Sequence, residues 1–128
     1  MLNWSVAALI LISLTSCAKK ARVQKKIESN LALIQQAKII DVPVPLGVVL
    51  DPVLASDVSV GYHWNVTAGD AAAYYHLEMA QFGWRLVDQF TGPEELLVFE
   101  KPYRSVAISI RPGQQAAVQV LILVKYKN

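Results

Sequence analysis

The side chains able to do chemistry are few and far apart in this chain. His63 and His76 are the only histidines, and Cys17 is the only cysteine. A single cysteine excludes an intramolecular disulfide and any paired-thiol redox or zinc site. The histidines show no HxH, HxxxH or HExxH spacing of the kind that holds a metal. A metal would need both to meet a carboxylate brought from elsewhere. Without that they are ordinary surface histidines, so no metal and no cofactor is expected.

Beyond the first forty residues the carboxylates are Asp41, Asp51, Asp57, Asp70, Glu78, Asp88, Glu94, Glu95 and Glu100. Glycoside hydrolysis needs two of them facing each other across a cleft, and short loops leave little cleft. There is no GxSxG elbow for a serine nucleophile. The glycines form neither GxGxxG nor a P-loop. These absences point to a non-enzymatic protein.

The elements that position these groups follow from length and pattern. At 128 residues the chain has room for one core. Val42-Pro43-Val44-Pro45 is extended, because each proline lacks a donor and restricts its predecessor. It leads into Gly47-Val48-Val49-Leu50, read as a first strand. Val58, Val60, Tyr62, Trp64 and Val66 then alternate with Ser59, Gly61, His63 and Asn65, which is the period of a half-buried strand. Thr67 and Asp70 resemble a capping box, and Ala72, Tyr75, Met79 and Phe82 form the core-facing stripe of a helix from about Ala68 to Phe82. Gly83 suits a left-handed cap. Strands over Trp84–Phe90, Glu95–Lys101, Arg104–Arg111 and Ala116–Lys125 follow, with Pro112-Gly113 suiting a type II turn.

Connections this short demand antiparallel pairing. The expected fold class is α+β: two layers, an antiparallel sheet of about five to six strands covered by one helix, preceded by a signal peptide and a tether. Tyr62, Trp64, Tyr75 and Met79 fall between helix and sheet, as core or as the lining of a ligand pocket. Leu121 and Leu123 fall on the second face of the last strand. An apolar patch there marks an interface, filled by the tether or by a partner.

Residues 1–16 read as an address. Val6 to Leu14 is an apolar run broken only by Ser13, too short to span a bilayer and of the length of a signal-peptide core. Leu14-Thr15-Ser16-Cys17 follows, and resembles the lipobox of bacterial lipoproteins. The segment before the run has no Lys or Arg. The resemblance implies cleavage between Ser16 and Cys17, a diacylglycerol on the Cys17 thiol and acylation, as palmitate or a similar chain, of the new amine. Two or three acyl chains would hold the protein on a membrane, each buried CH₂ adding about 0.8 kcal/mol. Ala18, rather than Asp, follows the cysteine, which favours the outer membrane of the cell envelope where there is one.

Residues 17–38 form the tether. Lys19, Lys20, Arg22, Lys25, Lys26 and Lys38 against Glu28 alone give it a net +5, leaving the rest of the chain at −3. Basic residues beside a lipid anchor are attracted to anionic headgroups. Val23, Ile27, Leu31 and Ile34 make a helical stripe, so the tether is either a short amphipathic helix or a solvated linker. A flexible tether of this length spans roughly 25 Å. In the 39–128 domain the basic residues show no interleaving with aromatics in sequence, and no nucleic-acid partner is expected.

The domain carries a second likeness. Asp41-Val42-Pro43-Val44-Pro45, Tyr75 with Met79 and Gly83-Trp84, and Val98-Phe99-Glu100-Lys101 resemble a group of small bacterial lipoproteins over about residues 41–111. That resemblance implies a fold and a location, and brings no catalytic residue with it. The resulting expectation is a membrane-anchored envelope lipoprotein acting as an interaction or accessory module with an envelope protein partner. The alternative is a lipoprotein binding a lipid or small apolar ligand beneath the helix.

Overall fold

The structure, a computed structural model, describes residues 22, 24, 25, 27–34, 39–114 and 117–127. The chain divides into two compact units, Met1–Leu31 and Ala32–Asn128. In the first, residues 22, 24, 25 and 27–31 are helical. Ile27 and Leu31 are exposed there, and Gln24 Nε2 donates to Glu28 one turn on. Val23 lies outside the described residues. No helix among the described residues is long and apolar enough to cross a membrane.

The second unit begins earlier than Ile39. Residues 32–34 are helical, and Leu33 and Ile34 pack against the core. The Ile39 amide then donates to the Ile34 carbonyl.

Five strands and one long helix build the rest: β1 (Ser59–Trp64), α1 (Ala68–Gln81), β2 (Arg85–Phe90), β3 (Glu95–Lys101), β4 (Arg104–Pro112) and β5 (Val118–Tyr126). All pairs are antiparallel, in the order β1-β5-β4-β3-β2. Thus β1 lies at one edge, α1 carries the chain across to the other, and β2 to β5 return as a meander. The α+β expectation holds.

Local chemistry explains the helix ends. The Thr67 hydroxyl accepts from the Asp70 amide, which satisfies a donor of the first turn. At the other end Gly83 takes φ 84°, the left-handed region that glycine enters without a steric penalty. The Trp84 amide donates to the Met79 carbonyl and the Gly83 amide to that of Ala80, a Schellman closure.

Three expectations need correction. Phe82, expected on the core-facing stripe, is 45% exposed, because α1 ends at Gln81 and the Phe82 backbone has already left helical geometry as the C-terminal cap. Gly47–Leu50 is not a strand: Leu50 makes one bridge to Tyr62 and the Asp51 amide donates to Gly61. Pro52 and the short 3-10 turn Pro52–Leu54 then divert the chain, so pairing cannot continue. Pro112-Gly113 is not the centre of a type II turn either. β4 runs on through Pro112, Gly113 has no positive φ, and its amide donates to Ala117 across a wider loop.

The core lies between α1 and one sheet face. Val60, Tyr62, Leu97, Phe99, Val106, Ile108, Ile110, Val120 and Ile122 come from the sheet, and Ala71, Ala72, Tyr75 and Met79 from α1. Ile39, Val42, Val48 and Leu50 close its rim. Burying each large aliphatic or aromatic side chain contributes about 1.5–3 kcal/mol.

Candidate functional site

Among the described residues, α1 covers only one face of the sheet, and the opposite face is met only by the short 3-10 turn at the β1 edge. Strand register lays its side chains in cross-strand rows. One row runs Phe90, Leu96, Ser109, Leu121, Gly61. The next runs Asp88, Val98, Ala107, Leu123, Ser59. Together they make a mostly apolar band two rows wide across all five strands. Leu121 and Leu123, the two predicted interface residues, are its β5 members. Leu121 is half-buried by its neighbours and Leu123 is 43% exposed, while Phe90 at the β2 edge is 62% exposed.

Polar residues border the band on both sides. Arg85, Glu100, Ser105 and Lys125 form one border, and Arg111, Gln119 and His63 the other. Glu100 is shared by Lys127, at 2.7 Å, and Arg85, and these two cations hold its carboxyl below its ordinary pKa. On the far border the Ser109 hydroxyl donates to Glu94, which also faces Arg111 at 3.6 Å. Ser109 is thereby satisfied although it is the one buried polar residue of the domain's described part. The band is closed at the β1 edge by Leu54, whose side chain lies on Gly61; a Cβ there would approach Leu54 Cδ1 to 2.6 Å. Glycine inside a strand is a sequence sign of such close approach.

The four residues set between helix and sheet are brought together, but as packing. Tyr62, Tyr75 and Met79 have no exposed surface. The Tyr62 and Tyr75 hydroxyls hydrogen-bond each other, so neither needs water. Burial pushes both phenol pKa values upward, which keeps the pair neutral. Trp64 is half-buried and meets the Tyr74 ring edge-on at 5.2 Å, and Tyr74 meets Tyr75 at 5.0 Å. Edge-on pairs of this kind add about 0.5–1.5 kcal/mol each beyond burial.

His63 points to the open face from β1, while His76 sits on α1 on the other side of the sheet. The sheet itself therefore separates them. Among the described residues no three His, Cys, Asp or Glu side chains gather to hold a metal. Ser16 and Cys17 lie outside the described residues.

One cluster was not visible in the sequence. The Asp41 carboxylate accepts from Lys101 Nζ at 2.7 Å and from both terminal nitrogens of Arg104, at 3.0 and 2.5 Å. The Trp84 indole N–H donates to the Asp41 carbonyl at 3.0 Å, and both cations lie over the Trp84 ring, at 4.7 and 5.1 Å. Burial raises the Asp41 carboxyl, but the hydrogen bonds and charges of Arg104 and Lys101 outweigh it, so its pKa falls below the usual value. The cluster is a clasp that fixes the start of the domain to the turn between β3 and β4. Sequence separations of 60 and 63 residues hide it from any local pattern.

No protein-family model matches the chain, and no curated protein or solved structure is significantly similar to it.

Proposed function

We propose that the chain is a lipid-anchored envelope lipoprotein whose domain is a non-enzymatic interaction or accessory module, with the open sheet face as its docking surface. The observation carrying the docking role is the apolar band through Leu121 and Leu123, bordered by charge and left uncovered by α1. An antiparallel sheet can present one face to water, and then that face is polar. Here it is apolar at its centre, the composition of a surface that meets another molecule. The anchor is supported by the apolar run to Leu14 followed by Leu14-Thr15-Ser16-Cys17, and by the likeness of residues 41–111 to small lipoproteins. Ala18 favours the outer membrane. A short tether then restricts partners to envelope proteins at or near the bilayer.

A ligand beneath the helix has no observation in its favour. Tyr62, Tyr75 and Met79 are filled core, and a guest would have to displace them.

The test is processing in cells. Globomycin is expected to make a full-length precursor accumulate, and Cys17→Ser to release the protein from the membrane fraction. A Cys17→Ser protein fractionating like wild type would refute anchoring.

A further inference from the structure

We propose that the end of the sheet carrying the β3–β4 turn is a docking surface for an anionic lipid bilayer. Of the six basic residues after Ile39, five converge there although they are scattered in sequence. Arg85 opens β2, Lys101 closes β3, Arg104 opens β4, and Lys125 and Lys127 end β5 and the segment after it. Register confirms the juxtaposition: Arg85 faces Glu100, Lys101 faces Arg104, Arg104 faces Tyr126, and Ser105 faces Lys125. The Lys127 amide bonds the Tyr103 carbonyl, which brings the tail beside the turn.

Four carboxylates share this end: Asp41, Glu100, Glu78 in the last turn of α1 and, just before β1, Asp57. Asp41 and Glu100 are each shared by two cations, so the carboxylates do not neutralise the cluster. The end carries a net +1. The opposite end has Arg111 against Glu94, Glu95 and Asp70, a net −2. The domain is therefore charge-polarised along its strands, and only one end complements a negative surface.

Two tyrosines mark the same end. Tyr103, at the tip of the turn, is 80% exposed, and Tyr126 is 45% exposed. Exposed tyrosine beside lysine and arginine suits the headgroup region, where the ring is half-buried and the hydroxyl stays wet.

The inference rests on the lipoprotein reading for the bilayer being within reach, but its test uses no acyl group. The full chain carrying Cys17→Ser is given a single cysteine by Tyr103→Cys, and labelled with a nitrobenzoxadiazole fluorophore. Tyr126→Cys serves as a second position at the same end, and Thr91→Cys, exposed in the β2–β3 turn, as the opposite end. Each is mixed with vesicles of phosphatidylglycerol and phosphatidylcholine, or of phosphatidylcholine alone, and floated. The expected result is a blue-shifted, severalfold brighter signal at 103 and 126 on anionic vesicles, with 91 silent. Adding Lys125→Gln and Lys127→Gln should raise the lipid needed for half-maximal response at 103 about tenfold or more. A label at 91 responding as strongly as at 103, silence at 103 in chain that floats, failure to float, or equal response on phosphatidylcholine alone would each overturn the proposal. Absence of an acyl group from the native protein would instead sink the lipoprotein reading and leave this result standing.

Discussion

The two faces of β5 carry nearly the same chemistry and meet opposite fates. Val118, Val120, Ile122 and Val124 are buried under α1, whereas Leu123 on the other face is 43% exposed and Leu121 only half-buried. Hydrophobicity alone does not separate the two sets; the difference is one layer of helix. Leucines on the covered side would be explained by stability. On the uncovered side they contribute little to folding, and so they point to contact outside the domain. The same contrast holds on β3, where Leu97 and Phe99 are buried and Leu96 is exposed.

The contrast can be broken from its covered side first. Met79→Ala or Ile122→Ala should each cost about 2–5 kcal/mol in urea unfolding, since each leaves a cavity in a closed core. A loss near zero would mean that α1 does not seal this face. Next, Asp41→Asn should cost about 1–3 kcal/mol by removing charge-assisted hydrogen bonds from both cations. Its sign with pH follows from the lowered carboxyl. The wild-type advantage is complete above about pH 4, the ordinary range of an unfolded aspartate. It disappears as pH falls through the lower folded value, so wild type and Asp41→Asn should converge there. Convergence at neutral pH would show that the clasp contributes nothing.

Tyr75→Phe is a smaller perturbation, about 1–2 kcal/mol, because it strands the buried Tyr62 hydroxyl. The double change Tyr62→Phe with Tyr75→Phe should recover part of that loss, and a fully additive cycle would contradict the pairing. The smallest effect belongs to the open face. Leu121→Ser with Leu123→Ser should change stability by about 0.5 kcal/mol or less, yet abolish photo-crosslinked adducts formed by the protein in whole cells. Stability loss comparable to that of Ile122→Ala would make these residues core rather than interface.

Much of the fold was legible because local rules agreed with one another. Alternation placed β1 and sorted the faces of β5, and Thr67 and Gly83 bracketed α1. Leu121 and Leu123 were placed on the exposed face by period alone. Their companions Phe90, Leu96, Val98 and Ala107 were not, since a row across strands exists only once neighbour order is known, and β1 pairs with β5, the strand most distant in sequence. A valine-rich lead-in looked like a strand because propensity does not see the 3-10 turn that ends its pairing at Leu50. The register shift between Leu86 and Asp88 was equally hidden. For Tyr62, Tyr75 and Met79 periodicity set position without occupancy, and complete burial with linked tyrosine hydroxyls decides for core. The basic end was the furthest from view, because its five cations are assembled by four strand termini and a tail.

In the proposed reading, compartment and company both depend on Cys17 carrying lipid. Intact mass of the protein extracted from native membranes tests this most directly. The expected mass is that of a chain beginning at Cys17 with a diacylglycerol thioether, with or without a third acyl group. A chain beginning at Met1 with an unmodified thiol would contradict it.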